Sequence, residues 1–403
     1  MRIKKLAHDI IRDAAWTFCP RTRFTEELAS KSRLKKWTKF MITEKDIQRA
    51  ESSWVEKEKV VSEYKKKWIG QTLDPEYGME ESIENFIEKC PDYKSRDDKD
   101  RLRTDMWFYR FAYGFYPYEY VGYNLEQKDK DQRKEYISVR DKEILLNRTN
   151  GVLDAYVFGD KYLTFKKYEP YFAREAVLVK KKNHFRSYES FVNKHPVFVK
   201  KQVGMSGGRG VDLVSMPSLN KTKSEYFHEL IAQGAHILEE RVSQSKRMSA
   251  MNETSVNTAR IVTLRTSYGI IIQQCLLRVG SGGQFIDNAA QGGILVGVDV
   301  ASGQCITTGI TEFGEQIERH PDTGTEFMGF CLPDWEQLVS TVKEMSEKEP
   351  VVKWIGWDMG HTEKGWVAIE GNAGASMGGI QLLFKRGYKT EIEELFSDVE
   401  RIY

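Results

Sequence analysis

Residues 354–381 read WIGWDMGHTEKGWVAIEGNAGASMGGIQ, and the rest of the chain is organised around them. The pattern predicts two short strands, 354–359 and 365–371, joined by a polar turn and followed by a loop of small residues. Asp358, Glu370 and Asn372 carry hard oxygen donors on this stretch. Glu370 and Asn372 are two apart, so on a strand they face the same side. Asp358 joins that face only if the turn holds an odd number of residues, for instance 360–364; an even turn points it away. Oxygen ligands of this kind, few in number, are what Mg2+ uses when nucleotide phosphates complete its shell. The competing reading is a surface hairpin with ordinary acidic residues, since Glu-x-Asn alone is common.

At 403 residues the chain exceeds one average core, and two or three domains are expected. A composition of 40% hydrophobic and 30% charged residues describes a soluble globular protein. No apolar run reaches the length of a membrane span. The opening MRIKKLAHDIIRDAAWTF has acids interrupting its apolar part and makes a poor signal peptide. Cys19, Cys90, Cys275, Cys305 and Cys331 are odd in number with no C-x-x-C pair. That argues against a disulfide framework or zinc site and for a reducing cytoplasm. Residues 1–70 hold 18 Lys+Arg against 10 Asp+Glu, a net of +8, which leaves −6 for the remainder. Such an excess suits a solvated helical face better than an acidic partner or a membrane surface. It carries no nucleic-acid recognition motif, so nucleic acid is not an expected partner.

Taken in order, Ile3, Leu6, Ile10, Ala14 and Phe18 fall at helical spacing. A second stripe, Ile47, Ala50, Trp54, Val61, Tyr64 and Trp68, predicts one helix of about 25 residues, capped by Thr43 and Asp46 and ended by Gly70. Residues 92–103 are charged and turn-rich, a plausible boundary. The aromatic run 106–120 reads as a buried helix with a turn at Pro117 rather than a stacking surface, because nothing polar is spaced to read a ligand. After Gly151 the texture turns to short β-branched runs. Strand 197–200 enters GMSGGRG (204–210), and 211–214 returns. Backbone N–H groups of such a loop can wrap phosphate oxygens; a plain glycine hairpin fits equally well. It is not the Gly-x-x-x-x-Gly-Lys-Ser/Thr loop, and the lack of a following helix disfavours a dinucleotide fingerprint. Further strands are expected at 237–242, 257–264, 270–279 and 294–300, then helices at 336–346 and 390–402.

The order of these pieces resembles the ATP-grasp superfamily, and more closely its sugar-transfer-associated branch, related to the teichuronopeptide-biosynthesis proteins. The resemblance is carried by VNTARIVTL (256–264), RVGSGGQFIDNAAQGG (278–293), HPDTG (320–324) and GWDMGHTEKGWVAIEGNAGAS (356–376), in order within residues 105–385. It implies an α/β fold in which two α+β lobes clasp ATP, preceded by a mainly helical region. The divisions would be 1–104, 105–240 and 241–403. Lys161 matches the first phosphate lysine and Lys200 the second. Lys201 stands where the family usually has proline and is a rival for that role. Gly204, Ser206, Gly207 and Gly208 would close over the phosphates. Glu239 and Arg241 would lie at the adenine hinge, and Glu240 or Gln244 would hold ribose. Asp358, Glu370 and Asn372 would bind Mg2+.

Arg260 and Arg278 would steady charge on the transferred phosphoryl group, as guanidinium forks do in a dry site. Asn288, with Asp287, would line the acceptor side. By base rate both arginines are surface ion pairs, and His320 is a satisfied loop histidine rather than a general base. The function implied is an ATP-dependent carboxylate–amine ligase working through an acyl phosphate in cell-surface polysaccharide or glycopeptide biosynthesis. Its partners would be an amino acid, uronic acid or amino sugar, or a lipid-linked glycan, with a glycosyltransferase alongside. The location would be cytoplasmic, with contact at the inner membrane face left open. Two rivals are a phosphotransferase acting on a sugar or small molecule and a non-catalytic nucleotide-binding partner of a glycosyltransferase. Only the ligase needs an amine, and a degenerate binder has no need of the full Asp358, Glu370 and Asn372 set.

Overall fold

The computed structural model describes residues 22–38, 41–68, 78–205, 207–285, 287 and 292–399. The helix expected over 1–18, Ser206 and Asn288 lie outside them. The chain forms two compact units.

The first unit runs up to Asp154 and takes in 312–315 and the chain from Ser376 onward. Its longer helices are Arg23–Thr38, Glu44–Ser52, Trp54–Trp68, Met79–Lys89, Lys99–Tyr113 and Val139–Thr149, with Gly378–Phe384 and Lys389–Ser397 near the end. The single helix expected from Thr43 is two. Thr43 caps the first as expected, but Ser53 is extended (φ −163°, ψ 160°) and its hydroxyl accepts the Glu56 N–H at 3.2 Å. Serine competes with the helix through such local bonds, so a new N-cap replaces continuation. The aromatic run forms the core: Trp107, Phe108, Tyr109 and Phe111 are buried, as is Tyr120. The Tyr109 and Tyr120 rings meet edge-on at 5.0 Å, the arrangement their quadrupoles favour. Pro117 opens a short helix, Pro117–Gly122, rather than a free turn. Residues 92–103 lie within this unit, with Arg96 tied to Asp98 and Glu126 at 2.7 Å each.

One buried acid in this unit makes a pH prediction. Burial pushes the Glu119 carboxyl up to about 8 from its usual 4.5, although it accepts the Tyr116 N–H at 2.9 Å. A folded pKa above the unfolded one gives stability that is full below pH 4.5 and lost as pH rises through about 8. Glu119→Gln keeps an acceptor and removes the titration. Urea midpoints at pH 5 and pH 9 are therefore expected to differ less in the variant than in wild type.

The second unit, Ala155–Thr311 with Gln316–Ala375, holds two sheets. The smaller has β1 (Ala176–Val179), β2 (Val197–Gln202), β3 (Val211–Ser215) and β4 (His236–Glu240), in the order β1-β4-β2-β3. Its strands pair antiparallel, and helices Phe185–Lys194 and Lys223–Gln233 bury Phe198 and Leu238 on one face. The larger has β5 (Thr258–Thr266), β6 (Gly269–Val279), β7 (Ile294–Val298), β8 (Cys305–Ile310), β9 (Gln316–Ile317), β10 (Trp354–Thr362) and β11 (Gly365–Ala373). Their order is β11-β10-β5-β6-β7-β8-β9, again antiparallel. Ile261, Leu277, Trp357 and Met359 alternate inward from successive strands and pack with Leu338, Val342 and Met345 of helix Trp335–Glu347. The opposite face of β5, β6, β10 and β11 carries Arg260, Arg278, Asp358 and Glu370 beside the buried Val262, Leu264, Leu276 and Trp354.

Candidate functional site

The decisive hairpin differs from the odd-turn expectation. The turn is Glu363-Lys364, an even number, and the ladder runs from Thr362↔Gly365 to Met359↔Ala368. There the register shifts, so that Asp358 pairs with Glu370 and Gly356 with Asn372. Ile369 is the extra residue. A one-residue bulge restores the parity that an even turn loses. Asp358 and Glu370 become direct cross-strand neighbours, with Asn372 one pair further along the same face.

The register carries that face across the sheet, since Asp358 pairs with Arg260 on β5 and Thr258 with Arg278 on β6. Arg260 grips Asp358 through Nε and through Nη2, the latter at 2.6 Å from Oδ2. Arg278 donates from Nη1 to Asp358 Oδ2 at 3.2 Å, and its Nη2 lies 3.3 Å from Asp287 Oδ1. Burial works against the Asp358 carboxylate, but Arg260 and Arg278 outweigh it and hold its pKa below the usual range. Burial likewise opposes the Arg278 charge, and Asp287, Asp358 and Glu370 more than offset it. Asp287 is buried, accepts the Thr258 N–H and hydroxyl, and has its carboxyl pushed up by burial.

Lys161 opens helix Lys161–Phe172 immediately after its cap, Asp160, whose carboxylate accepts the Tyr162 N–H at 2.9 Å. This start aims Lys161 Nζ at the Met205 carbonyl and to 3.3 Å from Glu370 Oε1. Met205 belongs to the glycine loop, where Gly204, Gly207, Gly208 and Gly210 have φ between 68° and 78°. Residues with a Cβ rarely adopt that region, so the loop's path depends on glycine.

The two candidate lysines of β2 occupy opposite faces. Lys200 pairs with the exposed Asp212 at 2.7 Å. Lys201 is buried, with Nζ 3.0 Å from Glu239 Oε2 and 3.5 Å from the Ile369 carbonyl. Burial lowers its pKa, and Glu239 partly restores it. The structure thus brings Lys201, not Lys200, to the bulge. At the hinge, Glu239 is buried on Lys201 and Arg174, while Arg241 is exposed. Gln244 is turned inward, donating to the Asn252 and Ser255 carbonyls at 2.7 and 2.8 Å. Glu240 accepts the Glu175 N–H at 3.1 Å and is only half-buried. Both ring nitrogens of His320 have partners: one meets the Gly280 carbonyl at 2.7 Å and the other accepts the Asp322 N–H.

Whether these groups fit a divalent cation can be judged from their free capacity. Glu370 has Lys161 as its ion-pair partner, and the buried Asn372 Nδ2 has no hydrogen-bond partner. A half-turn of that amide would aim its oxygen instead. Asp358 would have to release a guanidinium to join them. No group of three His, Cys, Asp or Glu suited to a metal occurs among the described residues, so the set depends on its asparagine. With that amide available, the donors fit a hard cation that completes its shell elsewhere. Sequence reasoning missed Arg174; the signal available was the short apolar run Ala176–Val179 just after it, which is β1.

The face therefore gathers paired cationic groups and oxygen donors on a two-sheet α+β unit. The chain matches the family described as sugar-transfer associated ATP-grasp over residues 127–395, and it belongs to that family. Its fold is accordingly the ATP-grasp fold, preceded by mainly helical chain. No curated protein matches it. Among solved structures it is similar to the ATP-grasp ligase PsnB complexed with minimal precursor, at 10% identity and TM-score 0.38 over 62% of this chain and 64% of that one. It is similar to D-alanine-D-alanine ligase from Helicobacter pylori at 12% identity and TM-score 0.39, over 63% and 62% of the two chains. It is also similar to the ADP complex of purK, N5-carboxyaminoimidazole ribonucleotide synthetase, at 10% and 0.34, over 59% and 54%. The chain thus spans 54–64% of the length of these proteins. Among the described residues no helix is long and apolar enough to cross a membrane.

Proposed function

We propose that this chain uses Mg2+ and ATP to join a carboxylate to an amine. What carries the reading is the cross-strand pairing of Asp358 with Glu370 at the bulge, with Arg260, Arg278 and Lys161 converging on that pair. Lys161 and Lys201 would hold phosphate oxygens, and Glu370 and Asn372 would hold the cation. Bound Mg2+ would supply charge neutralisation at the phosphates. Arg260 and Arg278 would exchange Asp358 for phosphoryl oxygens, to which their planar forks are suited. That exchange would free Asp358 towards the cation. The loop of Gly204–Gly210 would lay N–H groups over the phosphates, and Glu240 would be the ribose contact.

In the reaction, a carboxylate oxygen attacks the γ-phosphorus and ADP leaves. The amine then attacks the acyl carbon, phosphate departs with the C–O electron pair, and the amine gives up a proton. The chain supplies no covalent nucleophile. Substrates in keeping with a sugar-transfer-associated family are an amino acid, uronic acid or amino sugar, free or on a lipid-linked glycan. This would serve surface polysaccharide or glycopeptide assembly from the cytoplasm, beside a glycosyltransferase.

Two measurements follow. ADP release should require both a carboxylate and an amine when pools of amino acids, uronic acids and amino sugars are supplied; release with a hydroxyl compound and no amine would make the chain a phosphotransferase. The lysines should also separate. Lys201→Met is expected to raise the KM for ATP by about 10-fold or more, the scale of a lost charge-assisted hydrogen bond, and Lys200→Met by less than about 3-fold. Equal effects in steady-state kinetics would remove the face assignment.

A further inference from the structure

We propose that Arg174 is a positioning residue that sets divalent-cation affinity by holding the β11 bulge, without touching the cation; the inference rests on the Mg-nucleotide reading above. A bulge costs ladder hydrogen bonds, and β11 is the edge strand of its sheet, so carbonyls near Ile369 need partners from elsewhere. Two buried cations provide them. Arg174 Nη1 donates to the Ala368 carbonyl at 2.6 Å, and Lys201 Nζ lies 3.5 Å from the Ile369 carbonyl. Both are anchored on one carboxylate: Arg174 places Nε and Nη2 at 2.8 and 2.5 Å from Glu239 Oε2, and Lys201 is 3.0 Å from the same oxygen. Arg174 and Glu239 side chains are each 4% exposed. Arg174 also donates to the Phe172 carbonyl at 3.2 Å and lies over the Phe172 ring. It therefore ties the end of the helix that starts at Lys161 to the strand that bears Glu370.

The arrangement is more specific than a buried ion pair. The bulge is what turns Glu370 to face Asp358, because the even turn alone would place Ile369 there. Arg174 on the Ala368 carbonyl and Lys201 by the Ile369 carbonyl brace the two residues at the register shift from the open edge of β11, and with them the spacing of the donors. Groups that orient metal ligands from behind commonly govern affinity without contact.

The test uses the full chain, with Mn2+ and ADP as probes. Arg174→Met leaves Glu239 paired with Lys201, so the buried charges stay balanced and the fold should survive. Mn2+ affinity in the presence of ADP, read by electron paramagnetic resonance, should weaken by about 10-fold or more in Arg174→Met, and Arg174→Lys should recover part of it. Amide exchange in the peptide 365–373 should rise in Arg174→Met and not in the strands β2 and β3. That second readout needs no metal and remains available if Mn2+ binding is too weak to compare. Unchanged exchange in 365–373, or equal Mn2+ affinity in folded Arg174→Met, overturns the role of Arg174. Absence of any Mn2+ binding by wild type overturns the metal site itself, a distinguishable result.

Discussion

Glu370→Gln is expected to lower Mg-ATP-dependent ADP release by about 10³-fold, roughly 4 kcal/mol of transition-state stabilisation. The substitution keeps shape and one oxygen but removes the charge that would bind the cation most directly. Its structural cost should be small. Glu370 is about one-third exposed, with its Oε1 3.3 Å from Lys161 Nζ, and such a half-solvated pair contributes little to stability. Melting temperature should therefore stay near wild type while turnover collapses. A coupled ADP assay beside a thermal melt reads both. Turnover within threefold of wild type would remove Glu370 from the chemistry.

Asp358→Asn is expected to damage both stability and turnover. Asp358 is 5% exposed at the side chain and takes charge from Arg260 and Arg278 together. Arg278 keeps Asp287, but Arg260 has no other described ion-pair partner. Breaking a buried pair from one side leaves an uncompensated charge, a loss of about 3–5 kcal/mol. Adding Arg260→Met removes the orphaned charge and should return much of the stability. Turnover should not return, since the double variant lacks both the carboxylate and a phosphate-binding fork. Calorimetry of the three proteins, with activity alongside, separates the effects. Full stability in Asp358→Asn alone would show that the two guanidinium groups do not depend on Asp358.

Part of the candidate site is legible in the sequence. The Asp358, Glu370 and Asn372 spacing and the glycine loop between two strands follow from residue type and order, whereas the roles of Arg260 and Arg278 come with the family resemblance, since by base rate each is a surface ion pair. Parity was harder to read. The bulge at Ile369 leaves no mark, because isoleucine is an ordinary strand residue and glycine, the usual flag, is absent there. The same parity problem hid which of Lys200 and Lys201 faces the bulge, for adjacent lysines carry no directional signal. Alternation with Phe198, buried on the helix side of β2, settles it once the pairing is known. Ser53 shows the opposite failure: the apolar stripe continues through it, while its hydroxyl caps a second helix. The buried triad of Arg174, Lys201 and Glu239 joins residues up to 65 positions apart, which no local pattern reveals.

The most direct test of the proposed chemistry is isotopic. A carboxylate substrate identified from the pools is labelled with 18O in both oxygens and turned over with Mg-ATP and the amine. If the γ-phosphoryl group passes through an acyl phosphate, one labelled oxygen leaves with each phosphate released, and mass spectrometry finds singly labelled phosphate in step with ADP. Unlabelled phosphate, or a phosphorylated product with no free phosphate, would contradict carboxylate activation and leave a hydrolase or a phosphotransferase in its place.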